Sequence, residues 1–261
     1  MPVPFELFLF STNEESILAS MEGGLDGVVI DWENRQKDLR QSGYDTQINH
    51  DSLEDLRRIK SLCKTKIVCR INARHAGWKK EIEAAIEGGA DEILLPMVRK
   101  VEEVSEAFSL SGGHFPVGIL LETEDALRHA RALAELPLAR VYVGFNDLAI
   151  DRKQKNIFRV LLEDTLDEIR PLFRCPFGFA GLTLPEFGDP IPCELLMGEM
   201  ARLDCSFSFL RRSFLRDSHD KNLAQEIQRI KASVGRHFSR SQGQVQQDRK
   251  SLREIISRME S

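Results

Sequence analysis

Apolar residues along this chain fall into short runs at regular intervals, and segments of helical periodicity fill the gaps. ELFLFS (6–11) reads as a buried strand, and the stretch from Glu14 to Met21 behind it repeats its apolar positions at helical spacing. DGVVID, KIVCRIN, DEILLP, PVGILLE, RVYVGF, FGFAGLTL and FSFLRR continue the series. The intervening pattern predicts helices at Ser52–Leu62, Trp78–Glu87, Val101–Ser109, Glu124–Ala134, Phe158–Phe173, Glu194–Leu203 and Asp220–Phe238. Gly-Gly-Leu-Asp and Gly-Gly-Ala-Asp, each just before a strand, fit helix ends that feed parallel strands. About eight strand–helix units in this order predict an α/β chain folded as a (β/α)8 TIM barrel.

The last segment breaks the rhythm. SRSQGQVQQDRKS is polar, and LREIISRME behind it places Leu252, Ile255 and Ile256 on one helical face. The expected division is a barrel domain over 1–238, then a polar linker and an extra C-terminal helix over 239–261. That helix either lies on the surface or packs on a neighbouring subunit.

Composition narrows the picture. A chain of 261 residues, 42% hydrophobic, is long enough for one large barrel. A net charge of −5 argues against a nucleic-acid-binding surface. No apolar run approaches the roughly 20 residues needed to cross a bilayer, and MPVPFELFLFS lacks the basic start of a signal peptide. Five scattered cysteines (Cys63, Cys69, Cys175, Cys193, Cys205), with no CxxC pair, read as reduced thiols. The default expectation is a soluble cytoplasmic protein with neither nucleic acid nor membrane as partner.

Chemistry in such a barrel gathers where strands end. The strand ends here carry Asp31, Trp32, Glu33 and Asn34; Arg70 and Asn72; Glu122; Asn146 and Asp147; and Arg211 and Arg212. PVGILLE runs straight from buried leucines into Glu122, which is no turn former. A carboxylate at an apolar mouth needs a compensating cation. Two readings stay open. Glu122 and Asp147 bind one divalent ion, with water and substrate filling its remaining positions, which suits Mg²⁺ or Mn²⁺ better than zinc. Alternatively, Glu122 pairs with Arg70 and binds nothing. The Arg70 fork suits a carboxylate or a developing enolate oxygen. His75 is either a general base or an ordinary loop histidine. Arg211, Arg212 and Arg216 are candidates for contact with an anionic substrate.

GLDGVVIDWEN, CRIN, GADEILLPMV, ILLETEDAL and VGFNDLAID together resemble the HpcH/HpaI aldolase and citrate lyase β-subunit family, in its order and roughly its spacing. The resemblance implies a Mg²⁺ or Mn²⁺ ion on Glu122 and Asp147, with Arg70 on the keto or enolate oxygen of a pyruvate-like unit. It implies Asp31 and Glu33 as neighbouring catalytic acids that orient water or serve as a base. Asn72, Trp32, Asn146 and Arg212 complete the expected substrate contacts. The implied activity is that of a class II-type, metal-dependent carbon–carbon lyase or aldolase acting on a small 2-keto acid through a metal-stabilised enolate. Family members commonly form trimers or hexamers, so a homo-oligomer is expected.

The chain also departs from the pattern. Where the aldolase branch carries a histidine after strand 2, this chain has Asn34, which takes no proton at neutral pH. Two alternatives therefore stand beside the aldolase reading. One is a lyase of malyl-, citramalyl- or citryl-type acyl thioesters. The other is a barrel of impaired chemistry that serves as a binding or assembly protein.

Overall fold

The outward face of nearly every strand is as apolar as its inward face, which is how a parallel sheet covered by helices must be built. A computed structural model of the chain describes residues 5–34, 51–211 and 213–260. Its strands are β1 (Glu6–Phe10), β2 (Gly27–Asp31), β3 (Lys66–Arg70), β4 (Glu92–Leu95), β5 (Val117–Leu121), β6 (Val141–Val143), β7 (Phe177–Phe179), β8 (Gly181–Leu182) and β9 (Phe207–Leu210). All pair in parallel, in the order β7-β6-β5-β4-β3-β2-β1-β9-β8. Only Ala180, with φ of 46°, separates β7 from β8. The two are one bent stave that bonds β6 with its first half and β9 with its second. The Ser206 N–H donates to Phe177 O at 3.0 Å, and the Ser208 hydroxyl to Ala180 O at 2.7 Å, which stitches the ring shut. The outcome is the expected TIM barrel of eight staves.

Alternation along the strands separates two cores. Val28, Ile30, Ile67, Cys69, Ile119 and Leu121 face the helices, whereas Phe8, Val29, Val68, Leu94, Leu120, Tyr142, Phe207 and Phe209 fill the barrel. Continuing the inward parity upward leads from Val29 to Asp31, from Val68 to Arg70, from Leu120 to Glu122 and from Phe209 to Arg211. The polar mouth therefore stands on an apolar plug. Beneath the plug, Arg140 donates to Glu92 at 2.6 and 2.9 Å, with its guanidinium over the Phe8 and Phe207 rings. A Cβ on Gly118 would lie 2.8 Å from both Arg140 Cγ and Glu92 Oε1, so only glycine leaves room for this pair.

Four helical segments differ from the expected pattern. The helix expected at Phe158–Phe173 is a helix at Thr165–Ile169 flanked by 3₁₀ turns at Arg159–Leu161 and Arg170–Leu172. Pro171, which lacks an N–H, sits in the second turn and prevents continuation. The helix at Glu124–Ala134 breaks at His129. A helix at Phe145–Asp151, outside the expected series, starts directly after β6; an acidic residue in a first helical turn meets the positive end of the helix dipole. At the chain's end, the helix Gln242–Arg258 begins ten residues before Leu252, capped by Ser241, and replaces most of the expected linker. Leu252 and Ile256 are buried within the same chain, on a helix that packs against the helix Cys193–Arg202. Among the described residues, no helix is long and apolar enough to cross a membrane.

Candidate functional site at the barrel mouth

Glu122 follows β5 directly and is almost wholly buried, at 3% exposed. Its Oε1 accepts the Met97 N–H at 2.8 Å. Met97 has φ of 53°, a left-handed conformation that a side chain of this size rarely adopts. That turn aims the amide after β4 at the carboxylate. On the other side, a Cβ at Gly144 would stand 2.5 Å from Glu122 Oε2, so the carboxylate occupies the space a side chain there would fill. Gly144 caps the helix Phe145–Asp151, and Asp147 lies in its first turn, 8% exposed. Burial pushes the Glu122 carboxyl well above the usual range, and the charges of Asp147 and Glu33 push it further. The Arg70 charge and the Met97 amide oppose them.

Arg70 caps β3 and grips Asp31 in a two-pronged contact, Nε to Oδ1 at 2.8 Å and Nη2 to Oδ2 at 2.7 Å. Its Nη1 lies 3.3 Å from Glu33 Oε2, and its guanidinium sits over the Phe10 ring at 5.0 Å. The ion pair at the barrel top thus joins Arg70 to Asp31 and Glu33 rather than to Glu122. Asp51 was not singled out from sequence. Its carboxylate accepts the Asp31 N–H at 2.8 Å, and its pKa is pushed up to about 6, chiefly by burial. The visible signal was only an acid beside a helix-capping serine.

The structure brings together Asp31, Glu33, Arg70, Glu122 and Asp147, on β2, β3, β5 and the end of β6. The remaining expected contacts are distributed differently. Trp32 is on the opposite parity to Asp31 and packs in the outer core, a correction to its expected place in the mouth. Asn72 is buried and bonded to Glu81 through its N–H at 3.1 Å and its Nδ2 at 2.7 Å, and its Oδ1 accepts the Asn34 N–H at 3.0 Å. Asn146 is exposed on the rim. Arg212 lies outside the described residues. His75 is tied into its loop: Nδ1 accepts the Gly77 N–H at 2.9 Å, so Nε2 donates to Glu81 at 2.7 Å.

The donor set fits a hard divalent cation. Among the described residues, no group of three or more His, Cys, Asp or Glu side chains is placed to hold a metal. Beside the acids paired with Arg70, the mouth offers the carboxylates of Glu122 and Asp147, the first of them uncomfortable as an anion in its present surroundings. Mg²⁺ or Mn²⁺ is commonly held in this way, with water and substrate oxygens completing the shell.

A family model described as HpcH/HpaI aldolase/citrate lyase matches residues 5–157. No curated protein matches the chain in sequence. Among solved structures, an HpcH/HpaI aldolase from Desulfitobacterium hafniense DCB-2 is similar at a TM-score of 0.62 and 11% identity, covering 83% of this chain and 90% of that one. RipC from Yersinia pestis is similar at 0.59 and 17% identity, covering 94% and 100%. The 3-hexulose-6-phosphate synthase of Salmonella typhimurium reaches 0.60 at 14% identity, covering 89% and 99%. These likenesses extend to the fold alone.

Proposed function

The chain belongs to the HpcH/HpaI aldolase/citrate lyase family, and from that premise of an aldolase- or lyase-type enzyme we propose that it makes or breaks a carbon–carbon bond next to a small 2-keto acid, with a divalent cation on Glu122 and Asp147. The observation that carries the proposal is the burial of Glu122 against the helix turn that presents Asp147, within the field of Arg70. A cation bound there would supply fixed positive charge beside the substrate's carboxylate and keto oxygens.

The chain's own groups divide the remaining work. Arg70 is held by Asp31 along one edge and keeps Nη hydrogens for the keto oxygen, where negative charge grows as the bond breaks. Both oxygens of Asp31 are committed to that grip, which makes Asp31 a positioning residue. Glu33 meets Arg70 through a single, longer contact and is the better proton carrier. In cleavage, Glu33 takes the proton of the substrate hydroxyl, an aldehyde leaves, and the electron pair of the broken bond passes to the keto group as an enolate. Returning the proton to the enolate carbon completes a pyruvate-like product. Leu120, Phe209 and Phe10 floor the site and limit water.

Proton exchange at the methyl group of pyruvate in deuterium oxide tests this. Exchange is expected with millimolar Mg²⁺ or Mn²⁺ and is lost in Glu122→Gln with Asp147→Asn. Exchange of an acetyl thioester but not of pyruvate would move the assignment to thioester cleavage. Exchange of neither, with no metal-induced rise in thermal midpoint, would overturn it.

A further inference from the structure

The end of β2 is tied down one N–H at a time. Trp32 donates to Arg70 O at 2.8 Å, across to β3, and Glu33 donates to Asp31 Oδ1 at 3.2 Å. Backbone N–H groups alternate sides along a strand, so the Asp31 N–H points the other way, toward β1. β1 has already ended at Phe10, whose register partner is Val29. The Asp51 carboxylate takes the missing place and accepts the Asp31 N–H at 2.8 Å. Asp51 is held in turn by its neighbour Ser52, which caps the helix Leu53–Leu62 in a capping box with Asp55, and Leu56 and Ile59 bury that helix in the outer core. Burial is the strongest force against the charge of Asp51, and Asp31 on β2 and Asp55 on its own helix add to it. The Asp31 amide and Arg70 on β3 oppose them. A serine or an asparagine would accept the same N–H without burying a charge. What the carboxylate adds is a stronger, charge-assisted bond. With the N–H groups of Asp31 and Trp32 both held, the peptide planes on either side of the Asp31 Cα are fixed, and so is the direction in which its side chain leaves the strand. That side chain sets the plane of Arg70 through two bonds.

We propose that Asp51 is a positioning residue: its carboxylate replaces the missing ladder partner of the Asp31 amide and thereby fixes the plane in which Arg70 faces the substrate. This rests on the function proposed above for what Arg70 contacts. The hold of Asp51 on Asp31 and Arg70 is a property of the chain alone.

Nuclear magnetic resonance of the metal-free, isotope-labelled protein tests the proposal. Between pH 8 and pH 5 the Asp31 amide proton and the Arg70 Nε proton, which Asp31 Oδ1 accepts, are expected to shift together, with one midpoint at about pH 6. Asp51→Asn removes that step from both signals. A step that persists in Asp51→Asn, or an Arg70 signal that stays still while the Asp31 amide moves, overturns the proposal. Kinetics then separate positioning from helix placement. Asp51→Ala lowers kcat for pyruvate proton exchange about tenfold or more with a smaller change in KM, as a misplaced catalytic group does. Asp55→Ala weakens the cap of the same helix without touching the Asp31 amide, and it leaves kcat within about twofold. Equal losses in the two variants overturn the proposal. Because the resonances need neither metal nor substrate, a wild type that fails to exchange pyruvate protons would overturn the function and leave the titration to decide on Asp51.

Discussion

Glu122 leans into the space above Gly144, with Oε2 only 2.5 Å and its Cβ only 3.0 Å from where a Cβ on that glycine would be. The glycine that follows β6 therefore sets where the Glu122 carboxylate lies beside the helix that carries Asp147. Any side chain at 144 must push the Glu122 carboxylate away, because the helix that follows fixes the backbone.

Gly144→Ala is expected to fold with a loss of about 1 kcal/mol, the order of one off-rotamer side chain. It should also lose most of the Mg²⁺-induced rise in thermal midpoint shown by the wild type. A variant whose midpoint still responds to Mg²⁺ as the wild type does would mean that Glu122 has no part in holding the ion.

Asp31→Asn tests the positioning role. Asparagine offers one acceptor where Arg70 now meets two, so the guanidinium loses its fixed plane. The expected result is a fall in kcat of about 10²-fold, in keeping with a misplaced catalytic group, and a smaller change in KM. An unchanged kcat would remove Asp31 from the mechanism.

The eight-stave order was legible because each strand is an apolar run followed by helical spacing, and that periodicity is local. The same alternation marks Asp31, Arg70 and Glu122 as inward, since each is two residues beyond an inward apolar residue. It also sends Trp32 outward, because parity outweighs the expectation raised by a large residue beside a site. Less legible were features that depend on distant chain. Asp51 reaches the site by accepting the Asp31 N–H, twenty residues away. Met97 contributes an amide, which no side-chain pattern reports. The helix Gln242–Arg258 is polar over most of its length, and its start is set by the Ser241 cap and by docking of Leu252 and Ile256 rather than by apolar spacing.

Arg140 and Glu92 sit in the barrel floor, each nearly unexposed. Arg140→Met keeps volume but strands a buried carboxylate, and it should cost about 3–5 kcal/mol. Combining it with Glu92→Leu should recover most of that, because an apolar pair needs no desolvation. Urea unfolding of both variants checks this; a double variant as unstable as Arg140→Met would show that the ion pair is required for packing itself.

Asp167 links the barrel to the C-terminal helix. It accepts from Arg202 at 2.6 and 3.0 Å and from Arg249 on that helix at 2.8 Å. The Arg202 hydrogen bonds hold its carboxyl below the ordinary value of 3.8. A carboxyl depressed by folding contributes stability above its unfolded value and loses it as pH falls through the folded one. The wild type should therefore exceed Asp167→Asn in thermal stability by a margin that is constant from pH 7 to about pH 5 and closes below about pH 4. With the carboxylate partly exposed, that margin should be about 1 kcal/mol. A margin that persists undiminished at pH 3 would show that packing, not charge, joins Asp167 to the two arginines.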